Sequence, residues 1–190
     1  MSGIGHNGGP SMEPGFGFRK HAWGKARHDL LPKLPVQIVR IRVARAKRLG
    51  LDYTTYATIR ATSGRDIVGF LFSGNALELR PQRIAVPDAI RNRLTALDGG
   101  AGRIAAIYGP LHPQAVLESN RGLIDFADVA PGFTESWSAM RDRLKTTLRD
   151  VRLPADGVVL VAATGVERDW CGAAQMAGVL SAERFFRPGG

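Results

Sequence analysis

The chain has 190 residues, 44% hydrophobic and 23% charged, a balance that suits a folded domain with a sizeable core and excludes an intrinsically disordered chain. Its single cysteine, Cys171, excludes an internal disulfide and a cysteine-based zinc cluster, and no run approaches the roughly 18 apolar residues of a membrane span. The net charge of +9 is unevenly placed, because residues 1–65 hold 12 Lys/Arg against 3 Asp/Glu while residues 66–190 hold 14 of each. Such asymmetry points to a basic arm or face that meets nucleic acid or an acidic protein. A plain solvated surface carries the same charge.

Residues 1–17 are rich in glycine, contain Pro10 and Pro14, and read as a flexible tail. They lack the apolar core of a secretory signal, and the glycines and prolines spoil the amphipathic helix of a transit peptide. A reducing cytoplasm is the expected compartment. Gly3-Ile4-Gly5-His6-Asn7-Gly8 spells the dinucleotide fingerprint, but no strand precedes it and no helix follows to offer its amides to a pyrophosphate. The opening stretch Gly3 to Pro10 resembles the start of uncharacterised alphaproteobacterial and phage-borne proteins. That resemblance implies no function.

Residues 18–65 read as a basic helical segment, an αα-hairpin. Trp23, Ala26 and Leu30 share one face of a helix over 18–31, and Pro32 and Pro35 separate it from the next. A helix from Val36 to Leu49 carries the stripe Val36, Val39, Val43 and Ala46. Gly50 breaks it, and Asp52 caps a second helix over Tyr53–Thr62. Lys25, Arg27, Arg40, Arg45 and Arg48 are the nucleic-acid contacts this segment nominates. A helix-turn-helix would present Thr54, Thr55, Thr58 and Arg60, whereas an ordinary helical hairpin packed on a sheet would not.

Residues 66–184 alternate short apolar runs with helical patterns. The runs Ile67–Phe72, Ile104–Tyr108 and Val158–Ala163 read as buried strands, and Leu123–Val129 as an edge strand. Helices are expected over Asn75–Leu79, Asp88–Leu97, about Gln114–Glu118, from Thr134 or Ser136 to Leu148, and over Glu167–Leu180. Residues 185–190 form a tail docked through Phe185 and Phe186. The pattern implies an α/β fold: a small Rossmann-like parallel sheet of three to four strands with flanking helices, preceded by the basic helical extension.

Open parallel sheets bind ligands beyond the carboxyl ends of their strands, where following helices offer N-terminal amides to anions. That rule gathers Ser73, Gly74, Asn75, Tyr108, Gly109, Thr164, Gly165, Glu167 and Asp169 as ligand-binding candidates, with Arg168 beside them. The same residue types also serve turns and helix caps. His112 can supply an acid or base, and Cys171, placed in the first turn of the last helix, a nucleophile. A buried structural cysteine is the commoner outcome. No cofactor is expected, and no metal, since His6, His21 and His28 lack clustered partners.

Three readings follow. The first is a non-enzymatic, nucleic-acid-associated or regulatory protein that binds through its basic N-terminal third. The second is a small enzyme or binder of an anionic, nucleotide-like ligand at the strand-end crevice. The third is a protein–protein adaptor.

Overall fold

Five parallel strands form one sheet in the order β3-β2-β1-β4-β5, with β1 Gly69–Ser73, β2 Gly102–Ile107, β3 Phe126–Val129, β4 Val158–Ala162 and β5 Gly178–Ser181. The computed structural model describes residues 35–97 and 99–187. The chain divides into two compact units, residues 1–39 and 40–190, and the sheet belongs to the second. The N-terminal tail, the helix over 18–31, Lys25 and Arg27 lie outside the described residues. The helices are α1 Val36–Arg48, α2 Tyr53–Ser63, α3 Asp88–Ala96, α4 Pro113–Ser119, α5 Trp137–Asp150, α6 Gly165–Ala174 and α7 Ala182–Phe186.

The two central strands are apolar along their whole length because helices cover both faces. Every residue of β1 and β4 is buried. Side chains alternate between two cores, as the pleat requires. Phe70, Phe72, Ile107, Val159 and Val161 pack with Leu49, Tyr56, Leu94 and Phe185. Leu71, Ile104, Leu160 and Ala162 pack with Met140, Leu144, Leu148 and Trp170 on the opposite face. Helices α1 to α4 and α7 therefore lie on one side, α5 and α6 on the other.

The expected α/β class with a parallel sheet is what the chain adopts, with five strands rather than three to four. The additional strand is β5, whose first three residues lie in the segment Glu167–Leu180 that the pattern reads as one helix. That helix stops at Ala174 because Gln175 turns left-handed, φ 58°, and its amide closes back on Cys171 and Gly172. Residues 75–79 form turns rather than a helix, with Leu77, Glu78 and Leu79 amides donating to Ser73, Asn75 and Gly74 carbonyls. Phe185 is no tail residue. It sits inside α7, buried, its ring 5.0 Å from Phe70 and 5.5 Å from Phe72.

The α1 stripe is also corrected. Val36 and Val43 are exposed, and only Ala46 of the stripe is fully buried, joined by Leu49 just beyond the helix. The unit that holds the sheet begins at Arg40, and Ala46, Leu49, Tyr56 and Ile59 are part of its core. The caps follow the sequence more closely. Asp52 caps α2 by accepting from the Thr55 amide, and Ser136 caps α5 by accepting from the Ala139 amide. Gly50, φ 62°, links α1 to α2 where a Cβ would collide with the Arg93 guanidinium.

Polar side chains stitch the amino ends of the strands. Arg45 donates from Nε to Asp66 Oδ2 at 3.1 Å, from Nη1 to the Gly100 carbonyl at 2.8 Å, and from Nη2 to the Ile67 carbonyl at 2.6 Å. Asp66 also accepts from the Tyr56 hydroxyl at 2.7 Å and lies 3.5 Å from Arg60. Nearby, the buried Arg103 grips Asp125 at 2.7 Å and donates to the Gly122 carbonyl at 3.0 Å. Among the described residues, no helix is long and apolar enough to cross a membrane.

Candidate ligand-binding crevice

The chain passes from β1 outward through β2 to β3, then returns to the far side of β1 to lay down β4 and β5. The reversal falls between β1 and β4, so the loops leaving their carboxyl ends diverge and open a crevice. Its centre is Asn75, two residues past β1. Asn75 Nδ2 donates to Glu167 Oε1 at 2.9 Å.

Glu167 is fully buried in the first turn of α6. Its Oε2 accepts from the backbone amides of Ala163 at 2.7 Å and Thr164 at 3.0 Å, while its own amide donates to Thr164 Oγ1 at 3.3 Å. This reciprocal capping box closes the start of the helix. The spare carboxylate oxygen reaches across to hold Asn75. One residue thus ties the loop after β1 to the loop after β4.

Tyr108 follows β2 and faces the same carboxylate. Burial first, and the Glu167 charge second, raise the phenol's pKa well above its ordinary value, so it stays protonated as a hydrogen-bond donor. Its ring lies against buried Trp170, 5.9 Å between centroids, and under Phe133, 5.0 Å away and within 7° of parallel.

Two cavities flank Asn75. One, about 280 Å³, is walled by Gly74, Asn75, Arg80, Tyr108, Gly109 and Leu111 among others. The second, about 350 Å³, lies toward β5 and includes Asn75, Ala163, Arg168, Ser181, Phe186 and Arg187. Guanidinium groups border both. Glu78 lies between Arg83 at 3.6 Å and Arg187 at 3.8 Å.

The nominated ligand-binding residues divide accordingly. Gly74, Asn75, Tyr108 and Gly109 line the first cavity. Glu167 and Thr164 stand behind the lining and position it. Ser73 is wholly buried, its hydroxyl accepting from the Ala76 amide at 3.0 Å, so it shapes the turn and offers nothing to a ligand. Gly165 and Asp169 are exposed on α6 and line neither cavity.

The catalytic candidates separate. His112 occupies the N-cap position of α4, exposed and outside both cavities. Cys171 is the seventh residue of α6, beyond the first turn in which it was read, so the helix terminus does not activate it. Burial raises its thiol pKa instead. A Cys–His pair is not assembled around either cavity.

Of the nucleic-acid candidates within the described residues, Arg40 and Arg48 are exposed, and Arg48 donates to the Gly99 carbonyl at 3.0 Å. Arg45 is spent on Asp66 and two carbonyls and leaves the set. Of the helix-turn-helix contacts, Thr54 and Thr58 are exposed, whereas Thr55 is buried and Arg60 lies against Tyr56 and Asp66. The second helix packs on the sheet as in an ordinary hairpin. Among the described residues, no three His, Cys, Asp or Glu side chains group as a metal site.

Sequence reasoning missed Arg80 and Arg187, which line the cavities from outside the strand-end turns.

The chain is a five-stranded parallel α/β protein with a crevice at its switch point. No family model and no curated protein matches the chain. Among solved structures it is similar to an uncharacterized protein from Corynebacterium glutamicum, at 18% identity and a TM-score of 0.42, over 60% of this chain and 82% of that one. A likeness at this level carries no functional argument.

Proposed function

We infer that this protein binds a small anionic, nucleotide-like ligand in the strand-end crevice. The observation that carries this is Asn75, fixed by buried Glu167 at the meeting point of two cavities bordered by Arg80 on one side and Arg168 and Arg187 on the other. Guanidinium groups suit phosphate or carboxylate, and a preset amide fixes orientation without an ordering cost. With His112 and Cys171 outside the walls, the arrangement favours binding over covalent catalysis.

Calorimetric titration of the full chain with inorganic phosphate and ribose 5-phosphate tests this reading. Saturable binding of ribose 5-phosphate, weakened by Arg80→Ala or Arg168→Ala, is the expected result. Absence of binding up to millimolar concentration would sink it.

A second reading, nucleic-acid binding through the basic N-terminal third, draws support from Arg40, Lys47 and Arg48, all exposed on α1. It predicts affinity for mixed DNA and RNA that falls steeply with salt. Because Ala46, Leu49, Tyr56 and Ile59 belong to the core, the test uses the whole chain with Arg40→Ala and Arg48→Ala rather than a truncation. A salt slope unchanged by the pair removes α1 from any such surface.

A further inference from the structure

We propose that the ligand carries a heteroaromatic ring and that this ring stacks on the solvent face of Phe133. The inference rests on the crevice reading and narrows it from anions in general to nucleoside phosphates.

Phe133 is 69% exposed, unusual for a residue of its size, yet it is not loose. One face lies parallel on Tyr108, itself a wall of the first cavity. The loop bearing it is tied to β2 on its near side and closed by a local turn around Phe133. The Ala130 amide donates to the Ile107 carbonyl at 2.8 Å, and the Glu135 amide to the Gly132 carbonyl at 3.2 Å. Arg143 then clamps Glu135 through Nη2 at 2.7 Å and Nε at 3.1 Å. A ring held this way meets a ligand with little further ordering cost.

Size supplies the second strand of the inference. A cavity of about 280 Å³ lies at the lower edge of ordinary ligand pockets. It suits a sugar phosphate, and a larger ligand must extend past its wall. Tyr108 is part of that wall, and the exposed ring resting on it is Phe133. Base–aromatic stacking tolerates any base, because each has a π-face.

AMP carries adenine where ribose 5-phosphate carries its anomeric hydroxyl, so titrating both into wild type, Phe133→Ala and Phe133→Trp isolates the contribution of the base. Wild type should bind AMP about tenfold more tightly than ribose 5-phosphate. Phe133→Ala should abolish that preference and leave ribose 5-phosphate affinity unchanged, and Phe133→Trp should restore it. Equal wild-type affinities for the two probes, or a preference that survives Phe133→Ala, would overturn stacking while leaving the crevice reading intact. Failure of both probes to bind would overturn both.

Discussion

The two ends of the sheet use similar side chains to different effect. At the amino ends, Arg45, Asp66, Tyr56 and Arg60 form one network and Arg103 with Asp125 another, and their donors go to carboxylates and carbonyls of the same chain. At the carboxyl ends, Glu167 also gathers donors, but what it holds, Asn75, lies between two open cavities. The first end is saturated and closes helices onto strands. The second is saturated only in its supports, and its outer layer presents polar groups to two open cavities. Charge and hydrogen bonding do not mark a site by themselves; a supported layer with space in front of it does.

The sharpest way to break this comparison is Glu167→Ala. It removes the buried carboxylate that two backbone amides and the half-buried Asn75 amide share, and should cost about 2–3 kcal/mol in urea denaturation and abolish ribose 5-phosphate binding. Stability loss with binding retained would show that Glu167 serves only its helix cap.

At the other end, Asp66→Asn should cost about 1–2 kcal/mol without altering ligand affinity. Burial opposes ionisation of Asp66, but the Tyr56 hydroxyl and the Arg45 guanidinium outweigh it, so its folded pKa lies below the usual value. A depressed folded pKa contributes stability that is present above the unfolded value, about 3.9, and is lost as pH falls through the folded one. Wild-type stability should therefore decline below about pH 4, and the Asn variant should show less of that decline in denaturation curves taken between pH 3 and 7.

Asn75→Ala sharpens the contrast from the ligand side. Ribose 5-phosphate affinity should drop about tenfold, read by calorimetry, and stability should fall by about 1–2 kcal/mol as the buried Glu167 carboxylate loses a donor. The smallest effect belongs to Arg40→Ala, within about 0.5 kcal/mol of wild type by denaturation. If α1 contacts nucleic acid, the same change lowers the salt slope by about 1.

Much of the architecture was legible because it depends on local patterns. Ile67–Phe72 and Val158–Ala163 are apolar without interruption, which only a doubly covered strand tolerates, and Asp52 and Ser136 advertise their helix starts. Strand β5 was not legible, since Gly178–Ser181 is four residues long and follows a helix ended by glutamine rather than glycine. The crevice was readable as a place, since strand-end turns name Gly74, Asn75 and Tyr108. Its division of labour was not. Whether Glu167 faces a ligand or the loop after β1 depends on strand order, and whether Arg45 faces solvent or Asp66 depends on packing 21 residues away in sequence.

Arg45 also bears on which changes this chain tolerates. Three of its nitrogens serve three acceptors in different directions, a carboxylate and two carbonyls that precede neighbouring strands. A lysine there would preserve the charge but bring one ammonium where a planar fork is needed, leaving carbonyls unmatched. Position 45 therefore discriminates by shape between two residues of equal charge, whereas exposed position 40 has no such means of telling them apart.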